Sequence, residues 1–175
     1  MLQTYLNRFL WWTTLVLLQV FFFNHIHLLG YATPFIYVYL LLKIESDVSR
    51  NSLMMWGFLI GLLVDLFSDT PGMNASATVC LAFLRPFLLR LFVPRDIVDA
   101  LVPSVRTMGL SSFMKYMVAC TLVHHLVLMT LIFFTFSQPL SLLLHVISST
   151  LFTSCCIMAL EWIYSYKKSK NRYFY

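Results

Sequence analysis

Apolar residues run along this chain in six blocks, at about 8–23, 34–44, 53–69, 73–94, 112–136 and 140–164, separated by short breaks. Crossing a hydrocarbon core of about 30 Å takes about 20 helical residues. The pattern therefore predicts an all-α, polytopic membrane protein with six transmembrane helices in one domain over residues 1–175. The block at 34–44 is the exception in length. It either extends backward through HLLGYAT, or it is a re-entrant or tilted piece held by its neighbours.

Within the third block the polar and small positions are not scattered. Gly57, Gly61, Asp65 and Asp69 follow one another at steps of four in GFLIGLLVDLFSDTPGMNASA. A four-residue step on an α-helix advances about 400°, so the four share one face. Glycines at this spacing let two helix backbones approach closely, and in lipid such packing replaces the missing hydrophobic drive. Intramolecular packing is the plainer reading of the stripe, and a face turned to a partner or a pocket is the sharper one. SDTPGMNASA then reads as a tight turn at Pro71 and Gly72 followed by a helix start with Asn74 at its entry.

The break between the fourth and fifth blocks, VPRDIVDALVPSVRTMGLSS, is the only long one. Ile97, Val98, Leu101, Val102 and Val105 recur at helical spacing while Arg95, Asp96, Asp99 and Arg106 take the other side. Two readings stand open: a short helix in the membrane interface interrupted at Pro103, or a plain loop that carries some apolar residues.

Composition strengthens the membrane assignment. Of 175 residues, 60% are hydrophobic and 11% charged, with a mean hydropathy of +0.81. A soluble domain carries about 25% charged residues. No length remains for a separate catalytic ectodomain. The net charge of +5 is topological rather than a nucleic-acid footprint. With six crossings and both termini in the cytoplasm, Arg8, Lys43, Arg50, Arg95, Arg106 and the tail residues Lys167, Lys168, Lys170 and Arg172 fall on the cytoplasmic side, with Arg90 and Lys115 at its flanks. The opposite connections, NHIHLLGYATP, SDTPGMN and SQP, contain no Lys or Arg, as the positive-inside rule requires. A five-span arrangement breaks this alternation. The N-terminus has the outline of a signal peptide, but it lacks a small-residue cleavage site and reads as a retained first helix.

Candidate chemistry is sparse. Asp65 lies about one turn below the outer end of its span, where facing lipid at the centre would cost ~2.5 kcal/mol or more. It should face protein or water. Arg85 is its partner by charge, but helical rise puts Asp65 about 6 Å and Arg85 about 16 Å below the turn, so a direct salt bridge is at the edge of an arginine's reach. Pro86 kinks the fourth span and frees a carbonyl that Arg85 can satisfy. Glu161 matches the level of Arg90. Cys80, Cys120, Cys155 and Cys156 lie in apolar runs with no disulfide or zinc spacing. Asn74-Ala75-Ser76 matches a glycosylation sequon, a weak signal in so tight a turn. His124 and His125 point about 100° apart on a helix, and with His25, His27 and His145 they lack a carboxylate shell; packing or interhelical hydrogen bonding suits them better than metal binding. No Ser/His/Asp, HExxH, CxxC or phosphate-loop arrangement occurs, and no cofactor or metal site is expected. An intramembrane enzyme using Asp65 and Asp69 is disfavoured, because a catalytic pair must converge on one substrate atom.

With these features in place, the chain resembles the MreD family of rod shape-determining membrane proteins. The resemblance rests on six short-looped spans, the G-x-x-x-G-x-x-x-D block, the basic stretch VPRDIVDALVPS, the His124-His125 pair and the SQP turn before the last span. It implies a non-enzymatic component of the bacterial cell-wall elongation complex in the cytoplasmic (inner) membrane. Such a component binds a bitopic MreC-like protein and works with MreB, RodA and the elongation transpeptidase to maintain cell shape through peptidoglycan synthesis. It also implies a fold similar to the substrate-binding subunits of energy-coupling-factor transporters. That similarity yields an alternative function, a small-molecule-binding subunit of a vitamin-type transporter, in which Gly57, Gly61, Asp65, Asp69, Asn74 and Arg85 would face a partner or a pocket. The first span, WWTTLVLLQVFFF, lacks the AxxxA spacing common to those subunits.

Overall fold

The computed structural model describes residues 2–26, 32–93, 101–134 and 139–170, with side chains placed for 10–164 within those ranges. The described residues form helices α1 (Leu2–Phe21), α2 (Val38–Leu42), α3 (Arg50–Ser68), α4 (Met73–Phe92), α5 (Val105–Met108), α6 (Leu110–Phe133) and α7 (Pro139–Lys170). A 3-10 turn, Phe23–His25, follows α1. No strand occurs among the described residues. Among the described residues four helices are long and apolar enough to cross a membrane: α3, α4, α6 and the part of α7 from Pro139 to Tyr164. Their outward faces carry Leu66, Phe87, Leu91 and Leu151, each more than half exposed. That arrangement suits a lipid solvent and would be a liability in water.

Ser49 starts α3 by accepting a bond from the Ser52 amide at 3.3 Å. Asp69 ends it in the left-handed region, at φ 53°. Thr70–Gly72 then turns the chain back, and α4 packs against α3 along most of its length. The glycines decide how closely. A Cβ on Gly61 would lie 2.5 Å from the Ala75 Cα, and one on Gly57 would lie 2.9 Å from the Thr78 carbonyl oxygen. Neither distance is compatible with a side chain, so the two backbones touch. α6 also packs on α4, and α7 packs on α6.

The block at 34–44 departs most from a six-helix expectation. Only Val38–Leu42 is α-helical, and residues 32–37 run without helical structure. Every residue from Pro34 to Leu42 is buried. Bonds from Tyr39 to Ile36 and from Leu40 to Tyr37, both 3.0 Å, wind the entry to α2 in the tighter three-residue manner. Pro34 supplies one cause, since proline pushes the preceding residue out of the helical region and donates no amide bond itself. Length supplies the other. Thr33 is held at Ser149 and Lys43 at Glu161. The 12 residues of α7 between those anchors rise about 18 Å, whereas ten helical steps would give only about 15 Å. A partly extended path makes up the difference.

In the long connection, residues 94–100 lie outside the described ones, so the Arg95, Asp96, Ile97, Val98 and Asp99 part of the interfacial-helix expectation does not bear on the structure. Beyond Pro103 a single turn, α5, forms with Ser104 as its cap. Leu101 is buried, and it exchanges bonds with Ser46: its amide donates to the Ser46 hydroxyl at 2.8 Å and its carbonyl accepts from the Ser46 amide at 2.9 Å.

Candidate functional site

A buried, partly extended segment has backbone groups that no helix ladder satisfies, and each would be costly in an apolar interior. Polar side chains from three helices meet this need. Gln19 of α1 accepts from the Ile36 amide at 2.7 Å and donates to the Pro34 carbonyl at 3.0 Å. From α7, the Ser149 hydroxyl accepts from the Thr33 amide at 3.2 Å, and the Thr153 hydroxyl accepts from the Phe35 amide at 3.0 Å. At the far end, Arg85 of α4 donates to the carbonyls of Leu42 and Ile44 and, at 2.8 Å, to the Tyr116 hydroxyl of α6. Arg85 is 2% exposed. Its charge is thus held by carbonyls and a phenol, not by Asp65, and it supports the central segment rather than the carbonyl freed by Pro86.

The two adjacent histidines serve the same segment. Thr153 accepts from Phe35, so its own proton goes to His125 Nε2 at 3.2 Å, while His125 Nδ1 donates to the Thr121 carbonyl at 2.6 Å. His124 takes the opposite tautomer. Asn74 directs its amide nitrogen to Asp65 and Thr70, leaving its oxygen to accept from Tyr37 at 2.9 Å. The Tyr37 oxygen must then accept from His124 Nε2, 2.8 Å away. Interhelical hydrogen bonding is therefore what this pair does.

Asp65 resolves in the same spirit. Its Oδ1 accepts from the Thr70 hydroxyl, the Asn74 amide and the Asn74 side chain at 2.9, 3.0 and 2.9 Å, and its Oδ2 accepts from the Ala75 amide at 2.9 Å. A carboxylate on α3 thus caps the start of α4, where free amides and the helix dipole favour a negative charge. Gly57 and Gly61 face α4 as well, so these stripe positions are internal contacts instead of a partner-facing surface. Glu161 meets Lys43 at 2.8 Å, Tyr39 at 2.5 Å and the Val105 amide at 3.1 Å, and so pairs with Lys43 where Arg90 was expected.

One open feature lies at the turn end of the bundle. A cleft of about 640 Å³ is lined by polar Asn24, His25, Asp69, Thr70 and Asn74 and by apolar residues that include Phe35, Phe67 and Phe133. Of the sequence-predicted site residues, Asp69 and Asn74 reach it; Gly57, Gly61, Asp65 and Arg85 do not line it. Among the described residues no group of three His, Cys, Asp or Glu side chains is placed to hold a metal ion.

No family model, curated protein or solved structure matches this chain.

Gln19, Tyr37, Tyr39, Ser149 and Thr153 escaped the sequence reading. Each left a signal: a lone amide in LVLLQVFFF, tyrosines at alternate positions in FIYVYL, and hydroxyls four apart in SSTLFTS.

Proposed function

We propose that this chain is a MreD-type, non-enzymatic component of the bacterial cell-wall elongation complex. It sits in the cytoplasmic membrane with six crossings and both termini inside. It binds an MreC-like bitopic protein and works beside MreB, RodA and the elongation transpeptidase. The observation that carries this reading is the internal commitment of the polar side chains. Asp65, Asn74, Arg85, His124, His125 and Glu161 each hold backbone or another side chain of the scaffold. A rigid scaffold with a lipid-compatible exterior fits a partner-binding role. In support of six crossings, α1 has 20 residues, and the buried segment 33–43 runs the length of α7 between Ser149 and Glu161.

Depletion in a rod-shaped host should round the cells, and the purified protein should bring down a bitopic MreC-like partner. Cysteine labelling should reach positions 70 and 138 from outside, and position 47 only after permeabilisation. Normal shape on depletion, or outside labelling at 47, would overturn the reading. The cleft supports a second reading, the small-molecule-binding transporter subunit, because its volume lies in the range of ligand pockets, about 300–1,000 Å³. A small molecule retained through purification together with normal cell shape would favour it.

A further inference from the structure

We propose that the cleft at the turn end binds an organic cation, an ammonium or guanidinium carried on an apolar, preferably aromatic, stem. The proposal rests on the cleft alone and holds under either reading of the cellular role.

Two surfaces of different character meet there. Phe35, Phe67 and Phe133, with Leu128, Met129 and Ile132, make an apolar wall deep enough to take a ring. At the rim stands Asp69, the residue that ends α3. Among the described residues the Asp69 carboxylate has no hydrogen-bond or ionic partner, in contrast to Asp65 with its four bonds. No lysine or arginine lines the cleft. The connections NHIHLLGYATP, SDTPGMN and SQP supply none either. Apart from the imidazoles of His25 and His145, any ligand charge therefore meets one free carboxylate and no basic side chain, with a second carboxylate, Asp65, held by Thr70 and Asn74 of the lining. An anionic ligand would be repelled. Aromatic faces add to the preference, since their negative quadrupoles attract cations at close range. An inorganic ion is a poorer match: hard divalent cations want six or more oxygen ligands, and the walls here are largely carbon.

The ammonium could arrive on a soluble amine or on the headgroup of a membrane lipid such as phosphatidylethanolamine. Equilibrium dialysis separates the two. Labelled tryptamine is titrated into the purified full chain in dodecyl maltoside, with empty micelles subtracted, beside the neutral 3-ethylindole, which lacks the ammonium, and the anionic indole-3-propionate. Tryptamine should bind saturably at one per chain and more tightly than 3-ethylindole, and indole-3-propionate should not bind. Asp69→Asn should weaken tryptamine by about fivefold, the upper end for an exposed ion pair, and leave 3-ethylindole unchanged. Asparagine is chosen because it tolerates the left-handed backbone that residue 69 adopts. Phe67→Ala should weaken the cation and the neutral compound alike, separating the stem from the charge. Raised salt should reduce the tryptamine preference. If added phosphatidylethanolamine competes with tryptamine, the lipid headgroup is the source; if it does not, a soluble amine is. Equal affinity for tryptamine and 3-ethylindole, an unaltered tryptamine affinity in Asp69→Asn, or binding of a peptide only would overturn the proposal. Partner capture by the same Asp69→Asn protein reports separately on the elongation-complex reading.

Discussion

Replacing Asp65 with asparagine tests the capping role directly, because the two side chains have the same shape and differ in one donor and one charge. The wild-type carboxylate accepts three bonds at Oδ1 and one at Oδ2. An asparagine must turn its NH2 toward one of those sets. The less costly orientation points it at the Ala75 amide, where donor meets donor and one bond is lost. A hydrogen bond to a charged group contributes about 1.5–3 kcal/mol. Loss of the negative charge at a helix start adds about 0.3–1 kcal/mol. The sum is about 2–4 kcal/mol of destabilisation at a residue only 5% exposed. For a chain of this size each kcal/mol moves the thermal midpoint by about 2–4 °C. The midpoint of Asp65→Asn, followed by size exclusion of heated samples in detergent, should therefore fall by at least about 4 °C. Asp69→Asn serves as the control, because that carboxylate is exposed and should move the midpoint little. The geometry also fixes the outcome of a double mutant. Arg85 bonds to Leu42, Ile44 and Tyr116 rather than to Asp65, so Asp65→Asn and Arg85→Gln should add to within about 0.5 kcal/mol. An unchanged midpoint in Asp65→Asn, or strong non-additivity with Arg85, would refute the capping assignment and restore the ion pair.

Two further predictions concern packing and the opposite end of the bundle. Gly61→Ala should cost more than Gly57→Ala, within the about 1–3 kcal/mol typical of overpacking, because the added carbon at 61 meets backbone at 2.5 Å and that at 57 at 2.9 Å; the order of thermal midpoints checks it, and a reversed order contradicts the close approach of α3 and α4. Glu161→Gln should destabilise by about 3 kcal/mol by stranding Lys43 in a largely buried site, and adding Lys43→Met should recover part of that loss; a double mutant that loses the full sum of the two would show that the pair is not coupled.

Legibility from the sequence followed the physics of each feature. Helices in lipid satisfy their own backbones, so hydropathy located the five long helices described: α1, α3, α4, α6 and α7 begin and end within about six residues of five of the apolar blocks. The periodicity placed Gly57, Gly61, Asp65 and Asp69 on one face; the first three do share the face that meets α4, whereas Asp69 has left the helix in the left-handed region and is exposed. These are local facts, and a local pattern suffices for them. The turn at Thr70–Gly72 was equally open to reading, since Pro71 and Gly72 carry its geometry in their own backbones.

What the sequence did not disclose is which polar group meets which, and there the separations are long. Phe35 finds Thr153 at 118 positions away, Tyr39 finds Glu161 at 122 and Arg85 finds Ile44 at 41. Charge suggested Asp65 for Arg85 and depth suggested Arg90 for Glu161, but both inferences assumed that opposite charges are the scarce partners. In this fold the scarce groups are the unpaired amides and carbonyls of residues 33–46. Residues 34–42 of that segment are apolar enough to be buried, yet the segment is too short to match the rise of α7 as a helix. Its partly extended path creates a demand for hydrogen bonds that only the assembled neighbours can meet. Tertiary structure thus decided the roles of Gln19, Arg85, His125, Ser149 and Thr153, and it left Asp69 free at the rim of a cleft that no single element contains.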